Sequence, residues 1–461
     1  MDVRLREFCL GRVICCALIA FMLCVALSIP VTAMEWPYEI INESESYFGF
    51  SALELDGTDT PHIFFTYRSS VSNNPFVKYG FKDGFGWHLK DFGLGENGPI
   101  ALDSFNRPHL FYGEWVDRRS YPTYSFWDGS EWQTQRYLNR TLGASGCNIF
   151  FCDPAIDSNN RVHLVYDAGQ YGDLQYAVTN ETGWFDRSLV ETIDSTFEGA
   201  QHCALALDSS NRPHILYDHS MGDYRIIYAY KDESGWHKED IDTVPHQYKL
   251  DIAIDSAGYP HVVYIDWTGT GLRYAYKDGF GWHIEQFPYP DGSDAFSPSL
   301  VLDSDENPHI TFRGERVNFD SYLKYAYKDG SGWHFELIER SYNCKPSLDL
   351  DSSGNPHILS DIDLGYSSGP YVLKYYSGIL NETPTVIQLP SCSAPPLDPD
   401  QDGLYEDVNG DTLFSFGDIR LFFEYYDVWI PANEPIECFD YDGNGFIGFG
   451  DVRALFWMWG T

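Results

Sequence analysis

Residues 253–287 read AIDSAGYPHVVYIDWTGTGLRYAYKDGFGWHIEQF, and this stretch decides the fold because its pattern recurs along the chain. Its first part returns as an Asp-Ser turn, a histidine and an apolar run, with histidines at 62, 109, 163, 214, 261, 309 and 357. Its second part, from Leu272 to Phe287, returns most clearly from Leu323 to Glu339. The histidine intervals of 47, 54, 51, 47, 48 and 48 residues indicate seven repeats.

Each repeat contains four short stretches in which β-branched and aromatic residues alternate with small or polar ones. Turn formers such as Lys277-Asp278-Gly279 separate them, which predicts antiparallel strands joined by hairpins. Helical periodicity is absent from the repeats. Seven units of four strands predict an all-β, seven-bladed propeller over residues 34–390. An open solenoid is the alternative, but it would need polar terminal caps, which this sequence does not show.

The segment from Trp36 to Ile41 predicts how the ring closes. It resembles the fourth-strand pattern from Trp282 to Phe287, although it precedes the first full repeat. An isolated outer strand at this point can pair with the last blade and so remove an exposed edge. The segment from Thr385 to Leu389 is a second candidate for the same position, and the sequence leaves the choice open.

Every repeat carries an Asp at its first turn and a His at its second strand, and most carry a Trp at the fourth strand. A functional interpretation would make the histidines a metal or proton-relay array. Seven equivalent sites around a ring cannot converge on one substrate, however. We therefore predict that Asp, Ser and His satisfy one another's hydrogen bonds, and that the Trp packs between blades.

The repeat resembles the Asp-Ser-x-x-x-Pro-His type of secreted bacterial and archaeal β-propellers, as in Asp255 to His261. The turn from Lys277 to Trp282 is similar to the Asp-box of sialidases. The resemblance implies the propeller fold. It does not choose among the lectins, hydrolases and scaffolds that propellers host.

The N-terminus predicts export to the cell surface or medium. Arg4, Arg6 and Arg12 precede an apolar run from Val13 to Leu27, and Ala33 offers a cleavage position, so residues 1–33 read as a signal peptide. A retained membrane anchor is the alternative, but the run is shorter than the ~20 residues that a spanning helix needs. Six cysteines follow, which favours disulfides such as Cys152–Cys203 and Cys392–Cys438 without fixing the pairing. The six are Cys147, Cys152, Cys203, Cys344, Cys392 and Cys438.

The charge balance excludes some partners. Against 30 Lys and Arg the chain has 68 Asp and Glu, a net charge of −38, so nucleic acid and anionic lipid surfaces are repelled. Aromatic residues make up 17% of the chain, which argues against disorder.

The composition changes after Pro390. Residues 391–400 form a Pro-rich linker, and residues 398–461 carry oxygen-bearing side chains at calcium-loop spacing. In the second loop Gly445 supplies the sharp turn, and the predicted ligands are Asp440, Asp442, Asn444, the carbonyl of Phe446, and Asp451. In the first loop they are Asp407, Asn409, Asp411, the carbonyl of Leu413, Ser415 and Asp418. A weaker third acidic run, similar to thrombospondin type 3 repeats, consists of Asp398, Asp400 and Asp402. The expected cofactor is Ca²⁺.

An apolar helical pattern follows each loop, over Ile419 to Trp429 and Val452 to Trp459. Two such loop-helix units resemble a type I dockerin, which implies calcium-dependent docking to a cohesin-like scaffold protein. The positions that match the family's partner-binding residues are Phe416, Gly417, Arg420, Phe449, Gly450 and Arg453.

Two functions follow from these patterns. The first is a non-enzymatic, exported binding or assembly protein, in which the propeller binds a glycan or protein and the calcium module docks it. The alternative is a propeller glycoside hydrolase or lyase acting on polysaccharide, whose catalytic residues the sequence does not identify. A ligand site is expected at irregular insertions such as Gly113 to Tyr121 and Gly143 to Cys152. The arginines outside the repeat pattern are Arg118, Arg119, Arg313 and Arg316.

Overall fold

The computed structural model divides the chain into two compact units, one of which spans Met34–Leu380 while the other includes Asn381–Thr461. In the first unit the described residues run from 36 to 378, with gaps at 45–47, 69–73, 97, 118, 137, 139–153, 168–172, 196–201, 220–223, 245–248, 267–270, 288–293, 316–320, 342–343 and 364–370. In the second unit they are 408, 415–426, 439, 452–453 and 455. Among all of these residues, no helix has the length and apolar character needed to cross a membrane.

The first unit consists of strands grouped into seven sets of four. In chain order the strands are β1 (Tyr38–Ser44), β2 (Phe48–Leu55), β3 (Pro61–Arg68), β4 (Pro75–Asp83), β5 (Gly86–Glu96), β6 (Ile100–Leu102), β7 (Pro108–Val116), β8 (Arg119–Trp127), β9 (Trp132–Gln135), β10 (Ala155–Ile156), β11 (Val162–Asp167), β12 (Leu174–Thr179), β13 (Phe185–Asp194) and β14 (Cys203–Leu207). They continue as β15 (Pro213–Asp218), β16 (Arg225–Asp232), β17 (Gly235–Thr243), β18 (Leu250–Ile254), β19 (Pro260–Asp266), β20 (Gly271–Asp278), β21 (Gly281–Gln286), β22 (Asp294–Leu302), β23 (Pro308–Glu315), β24 (Ser321–Asp329), β25 (Gly332–Arg340), β26 (Ser347–Leu350), β27 (Pro356–Asp363) and β28 (Tyr371–Ser377).

Consecutive strands pair antiparallel, so each repeat forms its own sheet. Sheets one to six are β2–β5, β6–β9, β10–β13, β14–β17, β18–β21 and β22–β25, and sheet seven contains β26–β28. Sheets one and two are joined because Gly95 and Glu96 at the end of β5 pair with β7. The predicted all-β arrangement of four-stranded units is confirmed, and the fold is propeller-like.

The N-terminal strand β1 completes sheet seven. It pairs antiparallel with β28, with Tyr38 opposite Tyr376 and Ser44 opposite Tyr371. The prediction from the Trp36 segment is therefore confirmed. The competing segment from Thr385 to Leu389 lies outside the described residues.

Seven hydrophobic clusters hold the sheets together, each shared by two successive sheets. One of them joins the first and last repeats: Leu53, Ile63 and Phe65 of sheet one are buried with Leu359 and Leu373 of sheet seven. Full burial of an aliphatic or Phe side chain contributes about 1.5–3 kcal/mol, so these clusters supply most of the stability.

The first strands of neighbouring sheets run parallel and in register. Polar side chains on one strand accept backbone N–H groups of the next: Leu102 N donates to Glu54 (3.0 Å), Leu300 N to Asp251 (2.8 Å), Leu348 N to Ser299 (3.3 Å) and Leu55 N to Asp349 (2.8 Å). Because of this register, all first strands begin at one end of the unit, which we call the loop end. They finish at the opposite end, the turn end, where the Asp turns lie.

The Asp turn has one geometry in all repeats. In sheet three, Asp157 Oδ1 accepts the N–H groups of Asn159 (2.9 Å) and Arg161 (2.8 Å), and Asn160 has a φ of 60°. His163 then links the turn to the sheet, because its Nε2 lies 3.3 Å from Asp157 Oδ2 and its Nδ1 lies 2.5 Å from the hydroxyl of Tyr176. Burial lowers the pKa of His163, so the ring is neutral. The repeated Asp and His therefore have a structural role, but the predicted mutual hydrogen bonding is only partly present, because Nε2 of His109, His163 and His214 is buried without a hydrogen-bond partner.

The repeated Trp packs on an aromatic ring of the preceding sheet. Ring centroids lie 5.2–5.4 Å apart in the pairs Trp36–Tyr325, Trp87–Tyr375, Trp132–Tyr79, Trp184–Phe126, Trp236–Tyr176, Trp282–Tyr228 and Trp333–Tyr274. Edge-on pairs of this kind add ~0.5–1.5 kcal/mol beyond area burial.

The cysteines are only partly described. Cys344 is buried and free, so the even cysteine count does not pair every thiol. Cys203 at the start of β14 is disulfide-bonded. Cys152, Cys392 and Cys438 lie outside the described residues, so both suggested pairings stay predictions.

The described part of the second unit includes the helix α1 (Phe416–Tyr425), and Val452, Arg453 and Leu455 in the second predicted helix are also helical. Ser415 precedes its first turn, and its N–H and hydroxyl both donate to Asp418 Oδ2, at 2.8 and 3.0 Å, which is the carboxylate half of a capping box. The Phe422 ring lies 6.2 Å from that of Phe439, and Leu455 is also buried. A helix after the first predicted loop is therefore confirmed at these residues.

Candidate functional site

Histidines that break the repeat pattern mark the candidate site. Of 14 histidines, seven lie after the Asp turn and four follow the fourth-strand Trp at 88, 237, 283 and 334. The other three are His202, His219 and His246, and all belong to the fourth repeat or its flanks. His246 lies outside the described residues. This concentration, which sequence reasoning missed, could have been found by removing the periodic histidines first.

Strand ends bring the site together at the loop end. His219 directly follows β15, Arg225 opens β16, and Asp194 ends β13 of the preceding sheet. Tyr224, which precedes Arg225, has a φ of 53°. A left-handed conformation at a bulky residue is costly and is found preferentially at functional positions. The Tyr224 carbonyl is held by the Val244 N–H at 2.9 Å.

His219 is buried between a carboxylate and a guanidinium. Its Nε2 lies 3.6 Å from Asp194 Oδ2, and its Nδ1 lies 3.1 Å from an Arg225 nitrogen. Because a guanidinium only donates, Nδ1 accepts and the ring proton is on Nε2, facing Asp194. The Arg225 guanidinium also donates to Asp240 at 3.0 Å, and its side chain is 31% exposed. His219 therefore fixes the orientation of a partly exposed cation.

Asp194 collects three donors from the next sheet. Its Oδ2 accepts from the Tyr217 hydroxyl at 2.8 Å and from Lys238 Nζ at 3.0 Å, in addition to facing His219. Burial, with the adjacent carboxylate, raises the pKa of Tyr217 well above its usual value, so the phenol stays protonated. The Lys238 side chain remains 43% exposed.

His202 contacts a second buried carboxylate, that of Asp218. Asp218 Oδ1 accepts the His202 N–H at 2.9 Å, and Asp218 Oδ2 lies 3.3 Å from its Nδ1. The His202 side chain is 26% exposed, whereas that of Asp218 is buried. An imidazole anchored by a carboxylate on one nitrogen can exchange a proton through the other.

A comparison with the interface between sheets four and five shows which contacts of the candidate site recur elsewhere in the fold. There Tyr264 donates to Asp242 at 2.8 Å, as Tyr217 does to Asp194, so the Tyr–Asp bond belongs to the fold. Arg273 occupies this interface with Asp242 and Asp266, and its ion pairs raise its pKa although burial alone would lower it. Only the fourth repeat adds the imidazoles of His202 and His219, so these rings define the candidate site.

The predicted calcium ligands are only partly described. Asp418 is buried and bonded to Ser415, as given above. No cluster of three or more His, Cys, Asp or Glu residues suited to a metal occurs among the residues described, which leave out most of both loops. The predicted ligands outside the described residues are Asp398, Asp400, Asp402, Asp407, Asn409, Asp411, Leu413, Asp440, Asp442, Asn444, Phe446 and Asp451.

The predicted partner positions are described in part. Phe416 and Gly417 open α1, and the side chains of Arg420 and Arg453 are exposed. Phe449 and Gly450 lie outside the described residues.

The insertions and arginines named from the sequence are only partly described, and a ligand site at the insertions stays a prediction. The segment from Gly113 to Tyr121 is the end of a hairpin, in which β7 and β8 pair up to Val116 and Arg119. Arg119 lies in sheet two and Arg313 in sheet six, where it stacks over Phe296 with the guanidinium 4.4 Å from the ring centre. The segment from Gly143 to Cys152, Arg118 and Arg316 lie outside the described residues.

Comparison with known proteins gives distant structural likenesses. No family model and no curated protein matches this chain. A polysaccharide lyase of family PL25, an ulvan lyase, is 12% identical with a TM-score of 0.47, over 73% of this chain and 96% of that one. The polysaccharide lyase Uly1 is 11% identical with a TM-score of 0.45, over 74% and 91%. The NanB sialidase from Streptococcus pneumoniae is 10% identical with a TM-score of 0.41, over 77% and 71%. Similarity at this level assigns neither a family nor an activity to the chain.

Proposed function

We propose that this chain is an exported protein that acts on an acidic polysaccharide, and that the site of His202, His219 and Arg225 cleaves it by β-elimination. One observation carries the proposal. His219 contacts the Arg225 guanidinium, which remains partly exposed, and His202 lies at the same strand end, where its N–H donates to Asp218, the residue before His219. Preorganised titratable groups outside the structural pattern are typical of functional sites.

The chemistry of elimination fits these groups. Arg225 pairs with the carboxylate of a uronic acid and so makes the neighbouring C–H more acidic. His202 takes that proton as general base. The electron pair of the C–H bond forms a C=C bond, the glycosidic C–O bond breaks, and the departing oxygen is protonated from water. The products are an unsaturated uronate and a shortened chain, with no oxidant or cofactor needed.

Hydrolysis fits the same site less well. It requires two carboxylates that face one sugar bond, about 5–10 Å apart. Asp194 and Asp218 are buried and engaged with Tyr217, Lys238 and His202. Asp240 is the more exposed carboxylate, and it is paired with Arg225. The carboxylates here orient cations and imidazoles.

The test is turnover of purified protein on polyuronates and sulfated uronate polysaccharides, followed by the ultraviolet absorbance of the unsaturated product. The wild type should produce this absorbance, and His202→Ala and Arg225→Gln should remove it. His283→Gln, a change at an exposed turn histidine, is the matched control and should retain it. Reducing ends without the absorbance would overturn elimination in favour of hydrolysis.

A binding protein without turnover is the second candidate. It is favoured by the burial of His219 and Tyr217, whose polar atoms are engaged within the protein. In this case the same polysaccharides would bind, Arg225→Gln would weaken binding, and no product would form.

We also propose that the seven sheets close into a ring. Support comes from contacts between the first and last repeats. Leu53 N donates to Ser347 at 3.1 Å, Leu55 N donates to Asp349, and Ser352 N donates to Asp59 at 2.8 Å. Trp87 of sheet one packs on Tyr375 of sheet seven. A disulfide between Ser352→Cys and Asp59→Cys should therefore form and raise the melting temperature.

For the C-terminal unit we propose calcium binding by the two loops and docking to a cohesin-like scaffold. The capped helix α1 and its exposed Arg420 support a loop-helix unit at the first loop. Calcium should therefore raise the melting temperature of the C-terminal unit.

We also propose export with cleavage after Ala33. The secreted protein should then begin near Met34 by N-terminal sequencing.

A further inference from the structure

The residue six positions before the turn Asp, near the start of each first strand, is basic in several sheets. Counted six positions before the turn Asp, these residues are Phe50, Asn97, Phe151, His202, Lys249, Ser297 and Lys345. Among the four whose side chains are described, three can carry positive charge, in sheets four, five and seven. The chain has a net charge of −38, and Asp218 and Asp361 lie beside two of these residues, but the basic position itself recurs from sheet to sheet.

Register places these residues on one edge. Neighbouring first strands are parallel, because Leu300 N donates to Asp251 and Leu53 N donates to Ser347 with the same one-residue offset. Equivalent positions therefore reach the same height at the loop end. His202, Lys249 and Lys345 are each partly exposed there.

The backbone of Lys345 is anchored by a hydrogen bond equivalent to that of His202. Its N–H donates to the buried Asp361 at 2.8 Å, as that of His202 does to Asp218, and its carbonyl lies 3.5 Å from the Ser51 hydroxyl of sheet one. Backbone anchoring on both sides reduces the entropy lost when the side chain binds a ligand. The second oxygen of Asp361 is buried without a hydrogen-bond partner, and burial raises the pKa of this carboxyl to about 7, so near neutral pH it carries only part of a negative charge beside Lys345.

We propose that Lys249 and Lys345 form basic subsites along the loop end, beside the general base His202, and that they bind further acidic sugars of the polysaccharide chain. The inference rests on the proposed function, because it extends the site of Arg225 to a longer substrate. The occupant is a polymer with carboxylate or sulfate groups, since anions spaced along a chain match cations repeated from sheet to sheet. The aspartates of the turns lie at the opposite end of the sheets, and salt screens charges that are more than ~10 Å apart.

The test is affinity of the full chain for oligouronates of increasing length, measured by calorimetry in calcium-containing buffer. Affinity should rise with length, and Lys249→Gln with Lys345→Gln should lower it by about tenfold for long oligomers, while leaving the shortest ones unchanged. The matched control is Lys90→Gln with Arg187→Gln, which removes two exposed charges from the outer strands β5 and β13. Unfolding midpoints within error of the wild type show that both double variants fold.

Three results would overturn the inference: equal affinity of the lysine variant and the wild type, equal affinity for a neutral glucan, or equally tight binding of single-stranded DNA through the same lysines. The same experiments distinguish failure of the proposed elimination reaction from failure of the subsites. If no product forms but length-dependent affinity requires the lysines, the subsites stand and elimination does not. If Arg225→Gln abolishes turnover while the lysine variant binds normally, elimination stands and the subsites do not.

Discussion

Trp36 lies edge-on to Tyr325, with ring centroids 5.2 Å apart and the planes at 70°. Trp36 precedes the first full repeat, whereas Tyr325 belongs to the sixth. The contact nevertheless has the geometry found between Trp282 and Tyr228, whose centroids are 5.4 Å apart at 76°. The N-terminal strand therefore provides sheet seven with the outer strand and the Trp that the other sheets take from their own repeats.

Loss of the Trp36 ring should destabilise the protein. Trp36→Ala removes the contact with Tyr325 and a partly buried ring, and we expect a loss of ~2–4 kcal/mol in the free energy of unfolding, measured with urea. Trp333→Ala, at the interface of sheets five and six, is the matched variant and should cost a similar amount. An unchanged midpoint for Trp36→Ala alone would mean that the packing of β1 does not contribute to the stability of the sheets.

The repeat and its closing strand could be predicted because their signals are local and periodic. The Asp turn needs only residues within four positions, as Asp157 and Arg161 show, and the Trp pattern identifies Trp36 without any long-range knowledge. The candidate site could not be predicted in this way. Asp194, His219 and Arg225 come from different strands, and their convergence depends on which strand ends face each other.

The insertion from Gly113 to Tyr121 shows a related limit of sequence patterns, although the ligand site expected there stays a prediction. The extra residues from Gly113 to Tyr121 looked like an inserted loop, but they extend β7 and β8 as a paired hairpin with its turn at Asp117. Length alone does not distinguish a longer strand pair from a loop. The calcium loops stay predictions, since of their ligands only Ser415 and Asp418 are described.

The buried turn histidines should make stability depend on pH. Burial lowers the pKa of all seven in the folded state, the residues being His62, His109, His163, His214, His261, His309 and His357. The unfolded chain therefore binds more protons as the pH falls below ~6.5, and stability should fall in that window. Urea midpoints between pH 7.5 and 5 should decrease, and His261→Gln should flatten the slope, whereas the exposed His283→Gln should not.

Asp361 should have the opposite effect on the pH dependence of stability, because it lowers stability as the pH rises. Burial raises its pKa to about 7, so the folded state binds its proton more tightly than the unfolded state, and its ionisation costs stability as the pH rises above ~4. Asp361→Asn keeps an acceptor for the Lys345 N–H and removes the buried charge. We expect this variant to be more stable by ~1–3 kcal/mol at pH 8 and unchanged at pH 4. Asp218→Asn is the control and should destabilise, because Asp218 also faces the His202 ring.

Calcium binding should reside in the C-terminal unit alone. In the full chain, Asp440→Asn should lower the calcium affinity of the second loop by about tenfold or more, since a carboxylate ligand becomes a neutral amide. Calorimetric titration measures this, with Asp186→Asn, at an exposed strand position of the propeller-like unit, as the control. Removal of calcium with EDTA should lower the melting transition of the C-terminal unit and leave that of the sheets unchanged. A shift of the larger transition would instead place a calcium site among the sheets.

His219 should act on turnover through Arg225. Its Nδ1 accepts a hydrogen bond from the guanidinium, so His219→Leu removes that acceptor and leaves Arg225 oriented by Asp240 alone among these two partners. We expect KM for an oligouronate to rise by about tenfold, with a smaller change in kcat, because binding of the carboxylate is weakened more than proton transfer. His219→Gln, which can still accept from Arg225, should restore most of the KM. A merely structural role would predict equal losses for both variants in parallel with their stability, whereas a positioning role requires rescue by Gln at equal stability.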